Sequence, residues 1–148
     1  MSLDCNRQAA DEAITSPCAI EYLTVTTITI LVESWTGRAG DGVASYETIA
    51  TLRYPTREVS KREVASSGGL YQAGDLIVSD VTKPYTGGLG GGYTEAQLRP
   101  ASGFATTTQN KRVIYRADGD LAGDYALISL NAADVISWTL QLRRTRER

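Results

Sequence analysis

Residues 136–144 constrain this chain more than any other stretch. Ile136, Trp138, Leu140 and Leu142 alternate with Ser137, Thr139, Gln141 and Arg143. Strand side chains point to opposite faces in turn, so strict period-two alternation specifies a strand with one buried and one wet face. Trp138 is expected on the buried face, where truncation to alanine costs roughly 3–5 kcal/mol. The strand runs into Arg143-Arg144-Thr145-Arg146-Glu147-Arg148, a basic tail over 145–148. The expected fold is mainly β: a small antiparallel β-barrel or sandwich, with long loop arms and one or two short helices.

Other segments fit that class. Asp4 to Ile14 carries Ala9, Ala10, Ala13 and Ile14 among polar residues, which suits a short helix opening at Asp4 and barred by Pro17. Residues 1–19 are thus an N-terminal arm or short helix. A Thr-, Val- and Ile-rich strand is predicted over 20–34, with its alternation slipping around 23–25. Gly37 to Gly42 reads as a loop, 46–54 as a strand stopped by Pro55, and 56–67 as an excursion with modest strand character. Leu76 to Val81 is a further strand. Three more, over 112–117, 124–130 and 135–144, are joined by short turns into a meander.

Between them, 83–109 is dense in glycine and threonine. It is expected to be a long loop, which in a compact domain is usually a functional arm or a disordered tether. Within it, Thr94-Glu95-Ala96-Gln97 fits a capping box that opens one helical turn before Pro100. The whole of 1–148 reads as one domain.

Composition excludes several classes. Net charge is −2, with Lys and Arg in the minority before residue 100 and in slight excess after it, so a general nucleic-acid coat is not indicated. There is no histidine, the commonest base for serine or cysteine nucleophiles. The two cysteines, Cys5 and Cys18, cannot complete a four-ligand zinc site and are read as reduced thiols. Asp118-Gly119-Asp120-Leu121-Ala122-Gly123-Asp124 resembles a calcium loop only superficially. Ala122 stands where an oxygen ligand is needed and Ser129 where the bidentate glutamate belongs. Gly87–Gly92 lacks the lysine of a phosphate loop. The chain is read as non-enzymatic, without cofactor or metal and without a membrane span; the stretch 20–32 is too short and too rich in threonine.

Three runs carry a family resemblance. They are Lys111-Arg112-Val113-Ile114-Tyr115-Arg116, Gly123-Asp124-Tyr125-Ala126-Leu127-Ile128 and Ser137-Trp138-Thr139-Leu140-Gln141-Leu142-Arg143-Arg144, preceded by Gly74-Asp75-Leu76-Ile77-Val78. This pattern, over roughly the second half, resembles the head-closure (stopper, or head-tail connector) proteins of tailed bacteriophages. The resemblance implies a β-barrel subunit of a homo-oligomeric ring in the virion neck, made in the host cytoplasm. Its implied partners are further copies of itself, portal or adaptor proteins, tail-terminator or tail-tube proteins, and double-stranded DNA passing without sequence specificity. On that reading 83–109 is an assembly arm with Tyr85, Tyr93 or Leu98 as anchor. Arg143, Arg144, Arg146 and Arg148, opposed only by Glu147, read equally as a basic surface for an acidic neighbour or DNA phosphate and as an end that frays in water. The rival reading is a carbohydrate- or receptor-binding β domain of a phage tail or fibre, using loop tyrosines and Trp35.

Overall fold

The period-two runs become strands that close on themselves. The computed structural model describes residues 3–15, 25–36, 44–87, 90–100, 109–132 and 134–146. Its elements are α1 (Leu3–Thr15), β1 (Val25–Thr36), β2 (Ala44–Glu58), α2 (Lys61–Ser66), β3 (Leu76–Thr82) and α3 (Glu95–Leu98). After these come β4 (Gln109–Ala117), a 3-10 turn (Gly119–Leu121), β5 (Gly123–Ala132) and β6 (Ser137–Arg146). The strands form a closed antiparallel barrel in the order β1-β2-β3-β6-β5-β4, with β4 returning to β1. Closure pairs strand edges that an open sheet would leave bare.

Alternate residues fill the interior. Ile28 and Ile30, Leu52 and Tyr54, Leu76 and Val78, Tyr115 and Ala117, and Leu140 and Leu142 are each buried and each two positions apart. The ladders around them are unequal. β1 pairs with β2 from Val25↔Pro55 to Trp35↔Ala44 and with β4 from Ile28↔Ala117 to Thr36↔Gln109. By contrast, β2 meets β3 only at 56–58, and β4 meets β5 only at 115–117. The barrel therefore closes through two short seams. The β2–β1–β4 ribbon runs on beyond them, where Ser45, Tyr46, Glu47 and Thr48 are all exposed.

Bulges reset the inward–outward alternation along three strands. On β3 one extra residue lies between Val78 and Val81 against Leu140 and Trp138 of β6. Asp80 takes it up at φ 61°, a left-handed conformation that aspartate tolerates better than most residues. On β2 the extra residue is Ile49, opposite the step between Ile30 and Leu31. On β5 it is Ile128, pushed outward between Leu127 and Ser129.

Several expectations change. The slip anticipated at 23–25 lies mostly outside the described residues, and the register shift that β1 does show lies between Ile30 and Leu31. Pro55 does not stop β2. It sits where β2 leaves β1 and passes to β3, so its missing N–H interrupts neither ladder's centre. Beyond it, 61–66 is helical rather than strand-like. Ser60 Oγ accepts from the Glu63 amide (3.1 Å) and Glu63 accepts from the Ser60 amide (3.0 Å), a reciprocal cap. β4 begins at Gln109 and β5 extends to Ala132, so both are longer than expected.

The two faces of β6 also differ from the simple alternation. Leu140 and Leu142 point inward, but Trp138 is only partly buried at the rim. On the opposite face Ser137 and Gln141 are buried instead of wet. The 67–75 segment crosses over Gln141, whose Nε2 donates to the Leu70 carbonyl (2.8 Å) and to Asp75 (3.0 Å), while the Ser137 amide donates to Asp134 (2.8 Å).

Candidate functional site

The glycine-rich segment after β3 is anchored to the barrel over most of its described length. The Lys83 amide donates to the Ile136 carbonyl (2.8 Å), and Lys83 Nζ lies 4.8 Å from the Trp138 ring centre. Tyr85 and Gly91 exchange backbone hydrogen bonds in a narrow loop. Gly92 closes that loop at φ 77°, so near the Lys83 carbonyl and Pro84 that a Cβ has no room. Tyr93 then crosses the rim. Its amide donates to Thr82 (2.9 Å), its hydroxyl to the Thr51 carbonyl (2.8 Å), and its carbonyl accepts from Trp138 Nε1 (3.1 Å).

The expected capping box follows. Thr94 Oγ1 accepts from the Gln97 amide (3.2 Å) and Gln97 Oε1 from the Thr94 amide (2.9 Å). The short α3 so formed drives Leu98 into the core at 0% exposure, where its carbonyl accepts from the Tyr115 hydroxyl.

The free arm expected over 83–109 is thus corrected for 83–87 and 90–100, which pack on their own barrel. Residues 88–89 and 101–108 lie outside the described residues. Leu98 is the one large apolar residue of this turn; Glu95, Ala96 and Gln97 are exposed, while Leu98 joins the core cluster that contains Tyr115.

On this folded segment sits α1, held by three polar clasps. Asp4 accepts from the amides of Thr86 (2.7 Å) and Gly87 (2.9 Å). Arg7 donates through Nε and Nη2 to the Val135 carbonyl (3.0 and 2.8 Å) and through Nη1 to the Pro84 carbonyl (3.0 Å). Asp11 accepts from the hydroxyls of Tyr54 (2.8 Å) and Tyr85 (2.7 Å). Asp4 was expected to cap the helix; its carboxylate instead reaches across to the loop. Asp4, Arg7, Gln8 and Asp11 recur at helical spacing, so the face that docks is the polar one. Ile14, one turn on, supplies an apolar contact to the core.

The tyrosine hydroxyls respond to this setting. The hydrogen bond to the Asp11 carboxylate, helped by desolvation, pushes Tyr85 up to about 12. Burial, reinforced by the same carboxylate, raises Tyr54 far above the ordinary phenol value. Tyr93, packed edge-to-face on Tyr54 with ring centres 6.1 Å apart, is raised by burial.

The basic residues of β6 are largely engaged within the chain. Arg143 donates from Nε and Nη2 to Asp75 (3.1 and 3.0 Å). Burial alone would raise the Asp75 pKa, but the Arg143 guanidinium and the amides of Gln72 and Gln141 outweigh it and hold the group below the usual range. Arg144 stacks over Tyr125, 5.4 Å from its ring centre, and donates to its hydroxyl (2.8 Å). The side chains of Arg146 and Trp35, together with Arg148 and Cys18, lie outside what is described, while Cys5 is exposed on α1.

Of the residues expected at an interface, Tyr85 and Tyr93 are half-buried beneath or beside α1, Leu98 is core, and Arg143 is a structural ion-pair partner. Sequence reasoning missed Asp4, Arg7 and Asp11, for which the polar stripe was the signal. It also missed Ser60 and Glu63, for which the Ser-x-x-Glu spacing was the signal. The run 118–124 is a tight connection rather than a ligand loop: the Asp118 backbone amide donates to the Thr27 carbonyl, Asp118 and Asp120 are exposed, and Asp124 pairs with Arg116 at 3.0 Å.

Among the described residues no group of three His, Cys, Asp or Glu side chains is placed to hold a metal, and no helix is long and apolar enough to cross a membrane. No protein-family model, curated protein or solved structure matches this chain.

Proposed function

We propose that this protein is a structural subunit of a tailed-bacteriophage neck, forming a ring of identical copies between portal and tail around the DNA exit channel. The observation that carries the reading is the closed barrel finished by the β4–β5–β6 meander, the arrangement expected from the resemblance to head-closure proteins. A ring subunit needs a rigid body and elements that project from it. The barrel supplies the first, and the β2–β1–β4 ribbon with its exposed 45–48 edge supplies the second.

DNA in such a channel is met as a passing polyanion, without base readout. The loop tyrosines favour this reading over a sugar-binding surface. Stacking on a sugar calls for open aromatic faces, whereas Tyr85 and Tyr93 are half-buried with hydroxyls committed to Asp11 and Thr51.

Imaging of purified particles that contain this chain tests the proposal. Density for the barrel in a ring between capsid and tail is the expected result. Density on fibres, or no association with portal and tail components, would overturn it.

A further inference from the structure

We infer that α1 is an exchangeable clasp: in the assembled state it leaves its own barrel and seats on the same surface of a neighbouring copy. No described residue of α1 is fully buried, yet the helix makes three charge-assisted contacts with chosen partners. A helix fastened by its apolar face is anchored by water exclusion and separates only at large cost. One fastened mainly through Asp4, Arg7 and Asp11, with Ile14 as its apolar contact, gives these contacts up on release, and seating on an identical surface restores every one of them, so exchange between copies is close to neutral.

The seat itself is built without the helix. Thr86 and Gly87 are set by the Tyr85–Gly91 backbone pair and the Gly90-to-Gly87 turn, Val135 belongs to the β5–β6 turn, and Tyr54 stands on β2. Lifting α1 leaves a formed receptor with two amides, two carbonyls and two phenols in place. A second copy of this chain carries the matching ligand, with the same residues at the same spacing.

Residues 16–24 join α1 to β1, and that length of chain spans up to about 30 Å when extended. The seat in the same chain and the seat on an adjacent subunit then offer identical contacts, and their occupancy is decided by local concentration. Exchange of an identical element is a low-cost route from monomer to oligomer. The inference rests on the self-association in the proposed function, and the experiment separates the two.

Gln8 and Gly87 face each other across the clasp, close enough that a Cβ on Gly87 would meet the Gln8 side chain. In a Cys5→Ser, Cys18→Ser background, Gln8→Cys is placed on a mass-tagged chain and Gly87→Cys on an untagged one. The two are mixed at concentrations spanning the assembly range and oxidised. The expected product is a tagged–untagged disulfide pair that appears with the oligomer and is absent from dilute monomer. The chain bearing both substitutions, oxidised when dilute, should close on itself. Oligomer with only within-chain closure overturns the exchange and leaves the ring reading standing. A chain that stays monomeric at every concentration overturns the exchange, and particle imaging still decides the neck. Failure of the double variant to close within or between chains overturns the seat on which the inference stands.

Discussion

Leu98→Ala tests whether the glycine-rich segment is part of the folded body. The side chain is fully enclosed in the cluster with Ile28, Leu52 and Tyr115. Truncation removes about three CH2 equivalents, worth roughly 2.4 kcal/mol at ~0.8 kcal/mol each. If about half of the ~80 Å³ vacated stays open, the cavity adds roughly 1 kcal/mol at ~24 cal/mol per Å³. The sum, about 3–3.5 kcal/mol, is a large part of the ~5–15 kcal/mol that holds such a domain together. It should lower the melting midpoint by roughly 6–14 °C. Urea unfolding followed by far-ultraviolet circular dichroism reads it as a shifted midpoint with an unchanged slope. Leu70→Ala is the control: its side chain is 72% exposed and should change stability by no more than about 0.5 kcal/mol. A Leu98→Ala loss below about 1 kcal/mol, level with the control, would refute the packing of 90–100 on the barrel.

Four further outcomes are expected. Asp75→Ala should cost about 2–4 kcal/mol in the same assay, because Arg143 and Gln141 lose their acceptor; the partial exposure of Arg143 keeps the value below that of a fully buried pair. Trp138→Ala should cost about 2–3 kcal/mol, less than full burial implies, since the indole lies at the rim; a loss near 5 would place it in the interior. Asp80→Gly should be neutral or slightly stabilising, whereas Asp80→Val should lose about 1–2 kcal/mol at φ 61°; equal behaviour of the two variants would argue against the bulge. The Tyr85 phenol is raised in the folded state, so its contribution is complete below pH 10 and lost as pH climbs toward about 12. Alkaline absorbance titration of Tyr85→Phe should lack one late phenol step, and a step missing near pH 10 instead would deny the contact with Asp11.

Tail basicity illustrates why function was harder to read than fold. Arg143 and Arg144 look like a free cationic surface in one dimension. In space, the guanidinium of Arg143 meets Asp75, which lies 68 positions away and is 1% exposed, and Arg144 meets Tyr125. Charge runs report what a segment carries, not what faces it. The same holds for α1: its polar stripe is visible at 4, 7, 8 and 11, but a polar stripe ordinarily meets water.

Some features of this protein were determined by residues only a few positions apart. The inward pair Leu140 and Leu142 follows from the two-residue period of a strand, and the Thr94–Gln97 box from the three-residue reach of a cap. The α2 cap at Ser60 and Glu63 was equally local, although the residues around it read as strand-like and the cap was missed. Closure of the barrel, the burial of Gln141 beneath 67–75, the half-covered Trp138 and the seat of α1 were decided by tertiary structure. Each depends on which distant segment arrives at a given surface, and that is settled by packing and hydrogen-bond satisfaction over the whole chain, which no local period encodes.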